Sequence, residues 1–426
     1  MKEWKQYRLG DICTIYGRIG FRGYTTEDLT TDPAQGAISL SPTNIVGGEL
    51  ELSKPTYIKW DKYEESPEIM LRPNDVVIVK TGSSVGRTTL IREVVHPMTL
   101  NPQLVVLKDI KVNPVFLSYL VKAPRFQGLL MSITVGSAIP TLSQKNLANL
   151  SVEIPDEITQ VRIADVLNSI DNKILLNNRI NHNLEEQAQA LYKSWFIDFE
   201  PFKGLDFIDS DLGMIPSSLK IKQISTVKHI LETGKRPKGG VGDLSFGIPS
   251  IGAESIKGLG FFDSSKVKYI SEDFARTLKK GWIDGYELLI YKDGGKPGYF
   301  IPNYNIFGEG FPYNRMCLNE HVFKLDFLDR GLNAFAYFYF HSEYVFNYLN
   351  AQGGKAAIPG INQKDIESLW IFDPNNEHVR LFSERVSPLI TTILNNCRCN
   401  MELAKTRDML LPKLMSGELK INDLTC

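Results

Sequence analysis

The segment Gly82-Ser83-Ser84-Val85-Gly86-Arg87-Thr88 comes nearest to a phosphate cradle in this 426-residue chain. A nucleotide-hydrolysing loop needs four residues between its glycines and then Gly-Lys-Ser/Thr, so that backbone N–H groups and the lysine reach the phosphates. Here three residues separate the glycines, arginine follows, and Gly-Lys-Ser/Thr occurs nowhere in the chain. A DNA adenine methyltransferase would carry Asn/Asp-Pro-Pro-Tyr/Phe, and the chain has no Pro-Pro dipeptide. The six histidines (His96, His182, His229, His321, His341 and His378) are isolated, without metal-ligand spacing. Cys397-x-Cys399 offers half of a metal site, but no His/Cys pair of suitable spacing completes it. The expectation is a catalytically inert chain that binds no metal and no cofactor.

Composition bounds what such a chain can be. Its length favours two or three domains over one core. At 43% hydrophobic and 23% charged it reads as an ordinary folded protein. No apolar run approaches the roughly 18–20 residues that cross a bilayer, and Met1-Lys2-Glu3-Trp4-Lys5 lacks the apolar stretch of a signal peptide. Five scattered cysteines without a CxxC pair fit reduced thiols in a cytoplasm. The net charge of −1 argues against a solitary nucleic-acid binder, which needs basic surface to neutralise phosphates. It argues less against binding as part of a complex whose other subunits are basic.

The layout comes from a repeat. Ala138-Ile139-Pro140-x-Leu142-x-Gln144-Lys145-x-Leu147-x-x-Leu150 returns 219 residues later as Ala357-Ile358-Pro359-x-Ile361-x-Gln363-Lys364-x-Ile366-x-x-Leu369. Each copy is followed by a proline, Pro155 or Pro374, and then by a long heptad-patterned segment. Before each copy lie short β-rich runs, including Asp75–Val79 and Gln103–Leu107 in the first and Glu287–Tyr291 in the second. One amphipathic helix is expected after Pro114, with Phe116, Leu117, Leu120, Phe126, Leu129 and Leu130 as its apolar face. A second is expected over 332–349, where Phe335, Tyr337, Phe338, Tyr339 and Phe340 read as core more readily than as a base-stacking platform. Lys80-Thr-Gly82-Ser-Ser-Val-Gly86-Arg87 aligns with Lys292-Asp-Gly294-Gly-Lys-Pro-Gly298-Tyr299, and Asn44-Ile45-x-Gly47 aligns with Ser255-Ile256-x-Gly258. The glycine spacing is kept while the side chains between differ, as in domains reading different targets or in drifted duplicates.

Every 3.5 residues the first long segment places Ile163, Leu167, Ile170, Ile174, Asn177, Asn181, Leu184, Ala188, Leu191 and Trp195 on one stripe. Adding 219 gives Phe382, Val386, Leu389, Ile393, Asn396, Asn400, Leu403, Arg407, Leu410 and Leu414. Such periodicity over more than four heptads predicts that the two helices pair. If antiparallel, Asn177 meets Asn400 and Asn181 meets Asn396, fixing the register; a parallel pair would match the asparagines too. Antiparallel is the expected direction, because it sends the globules to opposite ends. Packing of each stripe on its own globule is the alternative, and Pro388 and Arg407 weaken the seam locally. The expected fold is α+β: two duplicated α/β globules separated by two long helices that pair as an antiparallel coiled coil.

Three segments turn this layout into a family resemblance: Leu191-Tyr-Lys-Ser-Trp195-Phe196-Ile-Asp198-Phe199-Glu-Pro201-Phe202, Gly213-Met-Ile-Pro216, and Leu410-Leu-Pro-Lys-Leu-Met-Ser416-Gly417-Glu418-Leu. With the duplication, they make the whole chain similar to the specificity subunit of a Type I restriction–modification system. The resemblance implies target recognition domains at 1–155 and 213–374, spacer helices at 156–200 and 375–416, a linker at 201–212 and a tail at 417–426. It implies a bipartite double-stranded DNA target, one half per domain, with a gap set by the helices. It further implies two methyltransferase subunits, which would use S-adenosylmethionine, and restriction/translocase subunits attached through them. A seam of about 33 residues spans roughly 50 Å, comparable with half-sites about one duplex turn apart, roughly 34–36 Å. The sequence departs from a strict duplication where Leu219 stands opposite Trp4, and where Pro388 and Cys397-Arg398-Cys399 make the second helix less regular.

Phosphate contacts need Lys/Arg, N–H groups and small hydroxyls, and base edges need bidentate Arg, Asn or Gln. The DNA-binding candidates in the first domain are Arg18, Arg22, Lys80, Ser83, Ser84, Arg87, Gln144 and Lys145. In the second they are Lys235, Arg236, Lys238, Lys292, Lys296, Lys355, Gln363 and Lys364. Each is a contact or solvated surface, and the Gln-Lys pairs either read DNA or cap the globule–helix junction. Trp195 and Phe196 are either partner-docking residues or the buried end of their own helix. Two other readings stand beside DNA recognition: a duplicated scaffold that binds protein, and a nucleotide-dependent enzyme whose melting temperature ATP would shift.

Overall fold

Val-Val-Ile-Val at Val76–Val79 and Leu-Val-Val-Leu at the start of Leu104–Lys108 are apolar without a break, the pattern of strands covered on both faces. The computed structural model, which describes residues 4–18, 23–136, 139–242, 244–354 and 359–420, makes them the two central strands of an antiparallel sheet. Its order is Thr14–Tyr16, Leu104–Lys108, Val76–Val79, Thr88–Leu90. Alternate residues enter two different cores. Val76, Ile78, Val105 and Leu107 pack with Phe116, Leu117 and the long helices. Val77, Val79, Leu104 and Val106 pack with Ile38, Leu40 and Met98 of a second, four-stranded sheet.

The second globule repeats this plan. Ile230–Thr233, Val322–Asp326, Leu288–Tyr291 and Asn303–Asn305 follow one another in an antiparallel sheet. Leu288, Ile290, Phe323 and Leu325 face the aromatic core, and Leu289 and Val322 the opposite one. A buried lysine is also repeated, on Leu104–Lys108 in one globule and on Val322–Asp326 in the other. Lys108 lies 3.6 Å from Asp75; Lys324 lies 3.8 Å from Glu287 and 3.2 Å from Glu232. Each lysine also donates to a backbone carbonyl, Met70 or Trp282. Burial raises the Asp75 and Glu287 carboxyls above their ordinary range.

Both globular helices expected as single elements are split. Pro124 divides the first into Pro114–Lys122 and Pro124–Ser132, because proline clashes with the preceding turn and has no N–H to give. Leu129, assigned to the apolar face, is 38% exposed in the second piece. Ser342 caps Val345 N and so starts a new helix, giving Arg330–Phe340 and Glu343–Gly353. The run Phe335 to Phe340 is buried throughout and belongs to the core.

The long helices run Glu157–Phe196 and Glu377–Met415. Asp156 accepts from Thr159 N at the start of the first, and Asn376 from His378 N at the second. The second ends at Gly417, whose φ of +73° suits glycine, and whose missing Cβ leaves room for Trp4. The chain divides into two compact units, Met1–Asn172 with Leu403–Cys426, and Lys173–Glu402. The division falls inside the long helices rather than at their ends, where the expected domain boundaries lie.

Within the second unit the helices are antiparallel. Asn177 donates to Asn400 at 2.8 Å and Asn396 to Asn181 at 2.8 Å. Asn400 also donates to Asn178 at 2.8 Å. Pro388 sits in an unbroken helix. Arg407, an expected weak point of the seam, lies in the first unit and is paired with Asp171 at 2.8 Å.

Candidate nucleic-acid interface

The strand Val76–Val79 must turn back into Thr88–Leu90, and the glycine loop makes that turn. Val85 N bonds Gly82 O at 3.1 Å, Arg87 N bonds Ser84 O at 3.1 Å, and Gly86 N bonds Val79 O at 3.0 Å. Gly86 has φ of +89°, and a Cβ there would meet Gln127 Oε1 at 2.5 Å, so only glycine serves. The loop is therefore a hairpin, not a strand-to-helix nucleotide cradle.

The repeated Pro-x-Leu/Ile segment is laid against this hairpin by two backbone bonds, Gly82 N to Pro140 O at 3.0 Å and Leu142 N to Lys80 O at 2.8 Å. In the second globule the equivalents are Gly294 N to Pro359 O at 3.3 Å and Ile361 N to Lys292 O at 2.9 Å. The bridge Thr81↔Thr141 of one globule becomes Asp293↔Gly360 in the other. One backbone junction thus carries different side chains in its two copies.

Around the first junction stand Lys80, Ser83, Ser84 and Arg87 from the hairpin and Lys145 from the short helix Gln144–Ala148. Ser83, Arg87 and Lys145 are exposed; Lys80 is half-buried, and burial holds its ammonium below the ordinary value. Around the second are Lys292, Lys296, Lys364 and the loop cations Lys235, Arg236 and Lys238. Lys296, Lys364, Lys235 and Lys238 are exposed. Lys292 Nζ lies 5.6 Å from the Phe323 ring centroid. Arg22 and Lys355 lie outside the described residues.

Five residues change their assignment. Arg18 is 3% exposed, with its guanidinium donating to Leu100 O at 3.0 Å and Thr99 Oγ1 at 3.3 Å, so it braces the sheet edge instead of meeting phosphate. Gln363 Nε2 donates to Leu231 O at 2.9 Å, strapping the short helix to the first strand. Its counterpart Gln144 packs on Gly17, where a Cβ would lie 2.6 Å from Gln144 Nε2. Trp195 and Phe196 are 9% and 2% exposed in the second unit's aromatic core, among Tyr192, Phe335, Phe372 and Phe382, so neither is free to dock a partner.

Sequence reasoning missed an acidic arc beside the second junction. His321 Nδ1 lies 2.6 Å from Asp293 and its Nε2 3.1 Å from Glu320, which also pairs with Arg236 at 2.8 Å. Asp293 stood in the aligned loop opposite Thr81, a legible signal; His321 and Glu320 come from a distant turn and left none. Among the described residues no group of three or more His, Cys, Asp or Glu could hold a metal ion. No helix there is long and apolar enough to cross a membrane.

Two copies of one polar loop junction, each on a sheet backed by the long helices, define a duplicated recognition scaffold. Residues 1–186 match the family model of the Type I restriction modification DNA specificity domain. The Type I restriction enzyme MjaIX specificity subunit of Methanocaldococcus jannaschii is 25% identical over 99% of this chain and 95% of its own length. The HindI specificity subunit of Haemophilus influenzae is 23% identical over 98% of this chain and all (100%) of its own. In fold, the crystal structure of a Type I restriction–modification system S subunit from M. genitalium matches with a TM-score of 0.57 at 14% identity, covering 96% of each chain. Over nearly its whole length the chain is therefore similar to Type I restriction enzyme specificity subunits, and its first 186 residues carry the match to their DNA specificity domain.

Proposed function

We propose that this chain reads a bipartite double-stranded DNA sequence for a Type I restriction–modification complex, one half-site per globule. Its role is recognition rather than catalysis, as in the relatives named specificity subunits. The observation that carries the reading is the twice-built junction. Backbone geometry is held by the same two hydrogen bonds in each globule, while Thr81 and Thr141 give way to Asp293 and Gly360. Threonine donates and accepts, whereas aspartate only accepts and suits a base edge that presents an amino group. The exposed cations around each junction supply the phosphate contacts.

In this reading two methyltransferase subunits dock on the specificity subunit and bring S-adenosylmethionine, and restriction/translocase subunits attach through them. The chain itself holds no cofactor and works in the cytoplasm. Its net charge of −1 makes assembly the step that creates strong DNA affinity. The test is a domain exchange: residues 1–155 are replaced by the equivalent segment of a relative, and the methylated motif of the host is sequenced. The reading requires one half of the motif to change and the other to stay; a motif altered in both halves or in neither contradicts it.

A further inference from the structure

Tyr119, on the helix Pro114–Lys122, is 1% exposed and donates its hydroxyl to Asp171 Oδ2 at 2.6 Å. Asp171 belongs to the first long helix and is itself buried; its other oxygen accepts from Arg407 Nη1 of the second long helix at 2.8 Å. One carboxylate therefore ties a globular helix to both long helices of the same unit. Nearby, Arg92 donates to Asn168 Oδ1 at 2.7 Å, a second bond from the globule to the first long helix. Burial, with the Asp171 charge beside it, pushes the Tyr119 hydroxyl far above its ordinary value, so the proton stays on tyrosine.

The second unit contains a matching tie. Tyr337, on the corresponding helix Arg330–Phe340, is 2% exposed and donates to Glu185 Oε1 of the first long helix at 2.8 Å. Asp171 and Glu185 are fourteen residues apart, two heptads, and so share one heptad position.

Apolar packing between a globule and a helix is non-directional and tolerates small rotations. A hydrogen bond to a buried carboxylate is directional, and breaking it strands a charge. A well-packed apolar residue at 171 would stabilise the junction at least as well as an ion pair. What the carboxylate adds is a fixed orientation. We infer that Tyr119, Asp171 and Arg407 in the first unit, and Tyr337 with Glu185 in the second, are positioning residues that hold each globule in one rotation on the helix beneath it, and thereby restrict the DNA target to a single gap length. This rests on the bipartite-target reading.

The test is single-molecule methylation sequencing in cells carrying the intact complex with wild-type chain, Tyr119→Phe, Asp171→Asn, or Val121→Ala. Val121, buried on the same helix, serves as a stability control outside the tie. Melting curves of each purified complex match the variants for stability. Wild type and Val121→Ala should methylate one gap length. Tyr119→Phe and Asp171→Asn should methylate neighbouring gap lengths about tenfold more than wild type, the order of one lost hydrogen bond to a charged group, with both half-sites unchanged. A single gap length in both tie variants, with only a general loss of methylation like that of Val121→Ala, overturns the inference. If wild type itself gives no gene-dependent bipartite motif, the functional reading fails first and the inference goes with it.

Discussion

Asn177 donates a hydrogen bond to Asn400 at 2.8 Å across the helix pair, and Asn396 returns one to Asn181 at the same distance. Four amides within one stretch of the seam pair across it, Asn400 accepting from Asn177 and donating to Asn178, while Asn177 Oδ1 stays buried without a partner. A one-heptad slip would strand these groups among apolar side chains, at a cost of about 1–3 kcal/mol for each one left buried. Replacing all four seam asparagines with leucine should therefore raise thermal stability by about 2 kcal/mol or more through added apolar burial while loosening the register. Cysteine pairs placed at matched and slipped positions along the helices report the register. Cross-linking confined to the matched pairs in the leucine variant would count against a register role.

The duplicated buried lysine gives a second prediction. Lys108 and Asp75 are both nearly sealed from water, and removing one partner leaves an uncompensated charge in each case. Lys108→Met should destabilise the first unit by about 3 kcal/mol, and adding Asp75→Asn should recover a large part of that loss. Denaturant unfolding of the three variants checks the sign. A double variant no more stable than the single one would mean that the lysine acts through packing of its stem alone.

Legibility in the sequence followed the physics of each signal. The heptad stripes and the asparagine alignment were readable because a 3.5-residue period survives without knowledge of the partner. The Pro-x-Leu/Ile-x-Gln-Lys repeat was readable as a duplication, yet its job was not. Its tie to the glycine hairpin is made by backbone groups, which every residue carries. Arg18 follows a strand and looks like any loop cation, and only the turn of the chain back toward Thr99 and Leu100 buries it. Trp195 and Phe196 end a helix whose stripe is visible, but the aromatic pocket that receives them is built from Phe335, Phe372 and Phe382, 139 or more residues away. Arg407 reads as a flaw because its partner Asp171 stands on the other helix, outside the apolar stripe. Pro124 is a signal within the sequence, because proline ends a helix that the apolar spacing alone would continue.

The exposed cations at the two junctions should act independently. Arg87→Ala with Lys145→Ala in the first globule should weaken DNA binding by the assembled complex and flatten the salt dependence, by a slope of roughly one for each phosphate contact removed. Lys296→Ala with Lys364→Ala should do the same through the second globule. Binding isotherms at several salt concentrations separate the outcomes. A lower affinity with an unchanged salt slope would show that these side chains do not face phosphate.

Acid should weaken the second unit through His341. This side chain is exposed at its outer edge while its ring packs beside Tyr337 and Tyr304, and the desolvation of that packed face lowers its pKa below the ordinary 6.5. The unfolded chain then binds the proton at a higher pH than the folded one does. Stability from this group is therefore present above 6.5 and is lost as pH falls from there toward the depressed folded value. His341→Gln should remove that part of the acid sensitivity. Thermal unfolding between neutral and mildly acidic pH, with wild type and variant falling in parallel, would exclude it.

The central claim, that this chain chooses the DNA sequence on which a methyltransferase acts, is tested most directly by sequencing methylated bases in host DNA with the gene intact and deleted while the partner methyltransferase is expressed. The account predicts a bipartite adenine motif, two fixed half-sites around an unspecified gap, that is present with the gene and lost without it. A methylation pattern that persists unchanged after deletion would contradict the claim.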